Sequence, residues 1–248
     1  GRWEQLLANL PSAINLFRLI EARPGLLEQL VRILTLAEPL ADALGRRPEL
    51  LDTLIDRSAF DLPGEVGELV ARMEAVGPDA DYEAQLDRIR VVTGETRFAL
   101  GVQLISGGHD PLEIAAALSR LAEAGLRVAL RAAEGEFARV HGRFADRNMA
   151  IIGLGRLGGG ALTHASDLDI VYLFSGDFEG ESDGQRPIGP TLYFNRLAQR
   201  VSAALSVPTA EGALYEIDTR LRPQGAQGPL AVSFDSFERY QREEAWTW

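Results

Sequence analysis

The segment from Ala150 to Phe174 constrains the fold more than any other part of the chain. It shows the pattern of an apolar strand, a glycine-rich turn, a short polar connection and a second apolar strand. The second strand carries Asp167 and Asp169, and because successive side chains on a strand point to opposite faces, these two carboxylates share one face. Carboxylates this close repel each other unless a cation bridges them or one of them is protonated. Hard oxygen ligands of this kind suit Mg²⁺ or Mn²⁺.

The glycine turn between the strands would let backbone N–H groups approach an anion closely. Gly153, Gly155 and Gly158 match the spacing of the dinucleotide-binding pattern, but that pattern needs a crossover helix, and the connection here is too short and too polar. A P-loop would need Gly-Lys-Ser/Thr, and the chain contains no lysine. Two other interpretations of the turn remain. It is either a phosphate cradle ahead of a metal-binding carboxylate pair, or a plain glycine turn followed by solvent-facing aspartates. The first would suit a nucleoside triphosphate with Mg²⁺.

Gly158-Gly159, a short spacer and Asp167-Leu168-Asp169-Ile170 resemble the signature of the polymerase-β-like nucleotidyltransferases, Gly-Gly/Ser followed by Asp-h-Asp-h with h apolar. The run from Leu214 to Pro223 and the ending from Tyr240 to Trp248 resemble the glutamine synthetase adenylyltransferase family. They are more similar to its C-terminal, adenylylating half than to its deadenylylating half. The resemblance covers about a hundred residues from Asn148 onward. Because the family sequences continue past Trp248, we expect the chain to be a fragment.

This resemblance implies transfer of AMP from ATP to a tyrosine hydroxyl of glutamine synthetase, with Mg²⁺ or Mn²⁺ as the metal cofactor. A third carboxylate completes the family's acidic set, and Asp218, on a strand predicted over 213–221, fills its place best. Glu216 is the alternative, and an Asp–Arg ion pair with a neighbouring arginine is the competing structural explanation. The predicted catalytic and metal-binding residues are therefore Asp167, Asp169 and Asp218. The predicted phosphate-binding residues are Gly158, Gly159, Ser166, Arg156, Arg220 and Arg222.

Two alternatives stay open on these residues. The same site could remove AMP from glutamine synthetase with phosphate as the attacking group, or the chain could be a non-catalytic nucleotide-binding module. The resemblance also implies regulation of the whole protein by a PII-type signal-transduction protein and by glutamine.

Composition narrows the partners further. The formal net charge of −11 argues against extended DNA or RNA as a partner. The sequence has no run of about eighteen apolar residues, so it does not predict a membrane-spanning helix. Cysteine is absent, which excludes disulfides and thiol catalysis and fits a cytoplasmic location. All the basic residues are arginines, so any basic phosphate contact is a guanidinium.

The predicted fold class is α+β: an all-helical N-terminal region followed by a mixed-sheet nucleotidyltransferase palm. Periodicity predicts helices over 3–22 and 82–105, and a further helix capped by Asp110 that runs to about 137. We expect residues 1–76 to be a helical linker or regulatory region, 77–146 helices that pack on the catalytic domain, and 147–248 the palm, truncated at its C-terminal end. The acidic segment 175–190 is predicted to be a loop, either a solvated connection or a mobile flap beside the metal site with Arg186 near phosphate.

Overall fold

The computed structural model describes residues 4, 8–9, 13–55, 61–77, 80–176, 178–209 and 212–245. The N-terminal part consists of short helices: α1 (Ala13–Ala22), α2 (Pro24–Leu36), α3 (Glu38–Arg46) and α4 (Leu50–Ile55). The start of the helix predicted over 3–22 lies outside the continuously described residues. Apolar side chains from α1 to α4 form one core, whose most buried members are Leu30, Ile33, Leu44 and Leu50.

Three more helices follow: the short α5 (Val66–Glu74) and the two long helices α6 (Tyr82–Ser106) and α7 (Pro111–His141). The helix predicted over 82–105 is confirmed, and it ends at Gly107 in the left-handed conformation, with φ of 70°. Asp110 caps α7 as predicted, because its carboxylate accepts the backbone N–H of Leu112 at 2.7 Å. The helix α7 extends one turn beyond the predicted end, to His141.

The helix α6 lies between two cores. Phe98 and Val102 pack into the core of α1 to α4. Residues on its other sides, such as Ile89 and Val92, pack into a second, larger core with α5, α7 and the sheet. A helix buried on several sides shows little amphipathic pattern, and α6 is such a helix. It is therefore the element that connects the N-terminal helices to the rest of the molecule.

A small mixed sheet follows the helices. Its strands are β1 (Met149–Gly153), β2 (Leu168–Phe174), β3 (Ile217–Asp218) and β4 (Ala231–Ser233). The central strand β2 pairs antiparallel with β1 along one edge and parallel with both β3 and β4. Between β1 and β2 the glycine turn forms a single helical turn, α8 (Gly155–Gly158). The helical region followed by a mixed sheet confirms the predicted α+β fold class.

Two further helices flank the sheet. The helix α9 (Pro190–Ser206) packs on α7 and β4, and α10 (Phe234–Glu243) packs on β4 and β2. Phe237 of α10 lies against Val171, Leu173 and Val232, so the face of the sheet opposite α7 has a small core of its own. None of the helices that the structure describes combines the length and the hydropathy of a membrane span.

The strand predicted over 213–221 is wrong in its length, since only Ile217 and Asp218 pair with β2. The N–H groups of Leu214 and Tyr215 both donate to the carbonyl of Leu205, at 3.0 and 3.1 Å, instead of to a neighbouring strand. Beyond the strand, the N–H of Arg220 donates to the Asp218 carboxylate at 2.8 Å, which turns the chain away from the sheet.

The loop 175–190 is attached to the end of α7 and does not begin at the carboxylates. It leaves the far end of β2, four to five residues along the strand from Asp169, which corresponds to about 15 Å. The N–H of Gly184 donates to His141 at 3.1 Å, and the N–H of Arg186 donates to Val140 at 3.0 Å. The Asp183 carboxylate accepts the N–H of Arg143 at 2.6 Å. These hydrogen bonds join the segment to the end of α7 and favour the interpretation as a connection over the alternative of a mobile flap beside the metal site.

Candidate active site

The position of Asp169 follows from the alternation of side chains along β2. Leu168, Ile170 and Tyr172 point into the large core under α7, whereas Val171 belongs to the small core on the other face. Asp169 shares the face of Val171 because the two residues are two apart on one strand. The carboxylate therefore lies on the face of the sheet opposite α7, at the beginning of the central strand, whose other residues are all buried.

Three carboxylates come together at this point. Asp167 directly precedes β2, and Asp169 is paired in register with Asp218 on the parallel strand β3. Each of the three offers an oxygen, and these oxygens all lie within 4.8 Å of one another. Asp167 is exposed and the other two are partly buried. The structure thus brings together the three residues that the sequence predicts as metal ligands.

The electrostatics of the cluster differ between its members. Burial and the nearby charges of Asp167 and Asp218 raise the pKa of Asp169. Hydrogen bonds from Arg220, through its side chain and its backbone, instead lower the pKa of Asp218. A donor set of clustered carboxylate oxygens, in which burial and like charges raise the pKa of Asp169, fits a hard divalent cation.

Arg220 pairs with one carboxylate of this cluster. Its Nε lies 3.0 and 2.8 Å from the two Asp218 oxygens, and its Nη2 donates to the same carboxylate. The carboxylate is mostly buried while the guanidinium is 78% exposed at the side chain, so the arginine covers Asp218 from the solvent side. The Asp–Arg pair that the sequence leaves open as a structural alternative is present, and it shares its aspartate with the carboxylate cluster.

The glycine turn reaches the cluster at Gly155. Its φ is +52°, and a Cβ atom built there would lie 2.5 Å from an oxygen of Asp169. A residue with a side chain would therefore be strained and would displace the carboxylate. The close approach of the turn to an acidic side chain explains why a glycine occupies position 155.

The other predicted phosphate-binding groups of the turn are arranged differently. The N–H groups of Gly158 and Gly159 donate to the carbonyls of Leu154 and Gly155, at 2.9 and 3.0 Å. Ser166 forms a turn with Thr163, in which the two hydroxyl oxygens are 2.8 Å apart. Arg156 is exposed on α8. The two glycine amides are thus used within the turn itself.

Arg222 is engaged with backbone rather than with the carboxylates. Its guanidinium donates to the carbonyl of Thr219 at 2.7 Å, and it donates to the carbonyls of Pro229 at 3.1 Å and Gly228 at 3.3 Å. It therefore closes the loop that runs from Asp218 to β4. Glu216, the alternative third carboxylate, has an exposed side chain, and its carbonyl accepts the N–H of Leu168 at 2.9 Å.

Sequence reasoning missed two residues next to the segments that lead into β2 and β3, Arg97 and His164. Arg97 of α6 donates to the carbonyls of His164 and Leu214, which precede β2 and β3. Burial and the Arg97 charge lower the pKa of His164 to about 4, so the imidazole is neutral at pH 7. A lone arginine within a helical pattern looks like a surface charge, so no sequence signal could have singled it out.

A mixed sheet that carries three clustered carboxylates beside a glycine turn is consistent with a nucleotidyltransferase. Comparison with known proteins narrows this class. A family model described as glutamate-ammonia ligase adenylyltransferase matches residues 27–248. The chain belongs to this family.

Related proteins agree with this assignment. The chain is 43% identical, over its whole length, to a protein of Mesorhizobium japonicum named bifunctional glutamine synthetase adenylyltransferase/adenylyl-removing enzyme. Proteins of the same name from Brucella suis and Rhizobium meliloti are each 42% identical, again over the whole chain. The chain covers 25% of each of these three relatives, so it corresponds to about a quarter of their length.

Proposed function

We propose that this chain carries the nucleotidyl-transfer site of an enzyme that moves AMP from ATP to a tyrosine hydroxyl of glutamine synthetase. The observation that carries the proposal is the approach of Asp167, Asp169 and Asp218 to within 4.8 Å in a chain of this family. By the same family resemblance we propose that a PII-type signal-transduction protein and glutamine regulate the whole protein in the cytoplasm.

In this reaction the acceptor oxygen attacks the α-phosphorus of ATP, and the bond from that phosphorus to the oxygen that bridges to the β-phosphate breaks. Pyrophosphate leaves with the electron pair of this bond, and the hydroxyl loses its proton. Bound at the three carboxylates, one or two divalent cations would stabilise the negative charge on the attacking and leaving oxygens.

The chain's own residues have distinct parts in this proposal. Asp167 and Asp169 hold cations, and Asp218 completes the site and is the candidate acceptor for the hydroxyl proton. Gly155 keeps the turn close to Asp169 without a side chain in the way. Of the arginines predicted to bind phosphate, Arg220 is the best placed, because its guanidinium is largely exposed and already lies at the cluster.

The other residues predicted to bind phosphate have different parts in this proposal. Since Gly158 and Gly159 use their N–H groups within the turn, their part is to keep the surface beside the phosphates free of side chains. Ser166 and Arg156 stay candidates for direct contacts, because both lie on the connection between β1 and Asp169.

The test is transfer of label to purified glutamine synthetase from ATP labelled at the α-phosphate, with ATP labelled at the γ-phosphate in parallel. We expect metal-dependent labelling from the α position alone, and its loss in Asp167→Asn and Asp169→Asn. The matched control is Asp42→Asn, an exposed aspartate on α3. Labelling from the γ position, or full transfer by both active-site variants, would contradict the proposal. Binding of ATP without transfer would support a non-catalytic module instead.

A second activity has one specific observation in its favour, since the relatives are named for adenylyl removal as well. With AMP-labelled glutamine synthetase as substrate, removal by phosphate would release labelled ADP. We expect the transfer reaction to predominate, because the chain resembles the adenylylating half of the family. Release of ADP without any transfer of AMP to glutamine synthetase would show that AMP removal is the main activity of the chain.

A further inference from the structure

Arg97 of α6 connects the two chain segments that carry the carboxylates. Its Nη2 donates to the carbonyl of His164 at 2.6 Å, and its Nη1 donates to the carbonyl of Leu214 at 3.0 Å. His164 is three residues before Asp167, and Leu214 is four residues before Asp218. One rigid guanidinium therefore fixes the distance between the two approaches to the cluster.

A backbone hydrogen bond joins the same two segments a second time, next to the carboxylates. Directly after Asp167, the N–H of Leu168 donates to the carbonyl of Glu216 at 2.9 Å and joins β2 to β3. Segments 164–168 and 214–216 are therefore joined at both ends, by Arg97 at one end and by this hydrogen bond at the other. Asp167 lies between the two contacts, Asp169 directly follows Leu168, and Asp218 is two residues after Glu216.

The surroundings hold the guanidinium in place. Its Cζ lies 5.2 Å from the ring centroid of Tyr215, whose ring is buried beneath β3. Seven residues earlier on the same helix, the buried Arg90 donates to the carbonyls of Gly212 and Ala204, at 3.1 and 2.9 Å. Two arginines of α6 thus hold the segment that enters β3, but of these two only Arg97 reaches the segment that enters β2 as well.

The imidazole of His164 is held against the same helix. A Cβ atom built on Gly101 would lie 3.0 Å from the Nε2 of His164 and 2.6 Å from Leu40 of α3. The missing side chain at this position lets the loop before Asp167 and the N-terminal helices both contact α6. The position of His164 therefore depends on α6 through its ring as well as through its carbonyl.

We propose that Arg97 is a positioning residue that sets the separation of Asp167 and Asp169 from Asp218, and so the affinity of the cluster for divalent cations. The inference rests on the proposed function of this cluster as a metal site. Arg97 acts through the two backbone carbonyls and contacts neither ATP nor the acceptor.

The test compares Arg97→Lys with Arg120→Lys in the 248-residue chain. Arg120 of α7 also bridges two backbone carbonyls, those of Gly64 and Pro63, at 3.3 and 3.1 Å, but these lie on the segment before α5. A lysine keeps the charge in both variants and loses the fork that spans two acceptors. Thermal unfolding should therefore change by a similar amount in the two variants.

The readout is Mn²⁺ binding measured by electron paramagnetic resonance without nucleotide, followed by kcat and KM for ATP. We expect Arg97→Lys to weaken Mn²⁺ binding about tenfold and to lower kcat with little change in KM, since the nucleotide contacts are intact. Arg120→Lys should bind Mn²⁺ like the wild type. Should Arg97→Lys unfold, Arg97→Gln, which can still donate to one carbonyl, provides the same comparison.

The outcomes separate this inference from the proposed function. Equal Mn²⁺ affinity in Arg97→Lys and Arg120→Lys, with the wild type binding Mn²⁺, would overturn the positioning role alone. A wild type that binds Mn²⁺ no better than Asp169→Asn would overturn both. Normal Mn²⁺ binding by the wild type without AMP transfer would overturn the proposed transfer, while the Mn²⁺ comparison would still decide the role of Arg97.

Discussion

Asp169 and Asp218 are register partners on the parallel strands β2 and β3, so their side chains leave the sheet on the same face. The strand β3 is only two residues long, and one of them is Asp218. So short a strand contributes little to the sheet as a whole. The pairing of β3 with β2 instead places the Asp218 carboxylate beside that of Asp169 at a fixed separation.

We expect the metal-free chain to become more stable at pH 7 in Asp169→Asn. The pKa of Asp169 is raised in the folded state by burial and by Asp167 and Asp218. The stability contributed by its protonated form is complete below the unfolded pKa of about 3.9 and is lost as the pH rises through the higher folded pKa. Two charges about 4 Å apart repel by about 1 kcal/mol in water, which corresponds to about 2–4 °C in Tm for a chain of this size.

Thermal unfolding with EDTA, at pH 7 and at pH 3.5, measures this effect. The gain should shrink at the lower pH, because Asp169 is then mostly protonated in both states. Added Mg²⁺ should stabilise the wild type more than the variant and so reduce the difference at pH 7. A variant that is less stable than the wild type in EDTA at pH 7 would show that Asp169 is held by attractive contacts.

A second prediction concerns the glycine turn. Gly155→Ala should both destabilise the chain and disturb the carboxylate, because its φ is +52° and the added Cβ would meet Asp169 at 2.5 Å. Gly160→Ala is the matched control, since its φ is +66° but no atom lies within 4 Å of the added Cβ. Left-handed backbone costs a non-glycine residue about 1–2 kcal/mol, so both variants should unfold at lower temperature.

Only Gly155→Ala is expected to lose Mn²⁺ affinity, by at least tenfold, and to lose transfer with it. Isothermal titration with Mn²⁺ at a temperature well below both unfolding transitions separates the two effects. If the two alanine variants bound Mn²⁺ equally, the turn would have no direct influence on the position of Asp169.

The pairing of Arg220 with Asp218 leads to a third prediction. A guanidinium on this carboxylate competes with a divalent cation, so Arg220→Gln should tighten Mn²⁺ binding in the absence of ATP. Because this guanidinium is exposed to solvent, screening limits its effect, and we expect affinity to rise by about fivefold or less. The same variant should raise KM for ATP, because the proposed triphosphate contact is lost. Arg127→Gln, which removes an exposed guanidinium paired with Glu123 on α7, should change neither quantity.

The parts of the site that could be predicted from the sequence depend on local patterns. Asp167, directly before β2, and Asp169 within it are two residues apart, and that spacing predicts their common face without any knowledge of the fold. The cap of α7 at Asp110 and the end of α6 at Gly107 are equally local, because each depends on a side chain or a φ angle within a few residues.

The parts that could not be predicted depend on contacts between distant segments. The strand β3 is shorter than the predicted strand over 213–221, because Leu214 and Tyr215 donate hydrogen bonds to Leu205 and because the Asp218 carboxylate turns the chain at Arg220. The role of Arg97 depends on carbonyls 67 and 117 residues away. Backbone carbonyls are present at every residue, so a sequence does not show which of them an arginine will contact.

The last prediction separates the two arginines that follow Asp218. Because the Arg222 guanidinium donates to carbonyls at both ends of the loop 219–229, Arg222→Ala should release the loop and leave the carboxylates in place. Several hydrogen bonds from a charged guanidinium, each worth about 1.5 kcal/mol or more, are lost, so amide exchange in this loop should become at least tenfold faster. Mn²⁺ affinity should stay within about twofold of the wild type, whereas Arg220→Gln should show tighter Mn²⁺ binding with unchanged exchange in the loop. Hydrogen exchange by mass spectrometry and Mn²⁺ titration of both variants test the pair, and a large rise in KM for ATP in Arg222→Ala without faster exchange would assign Arg222 to the triphosphate instead.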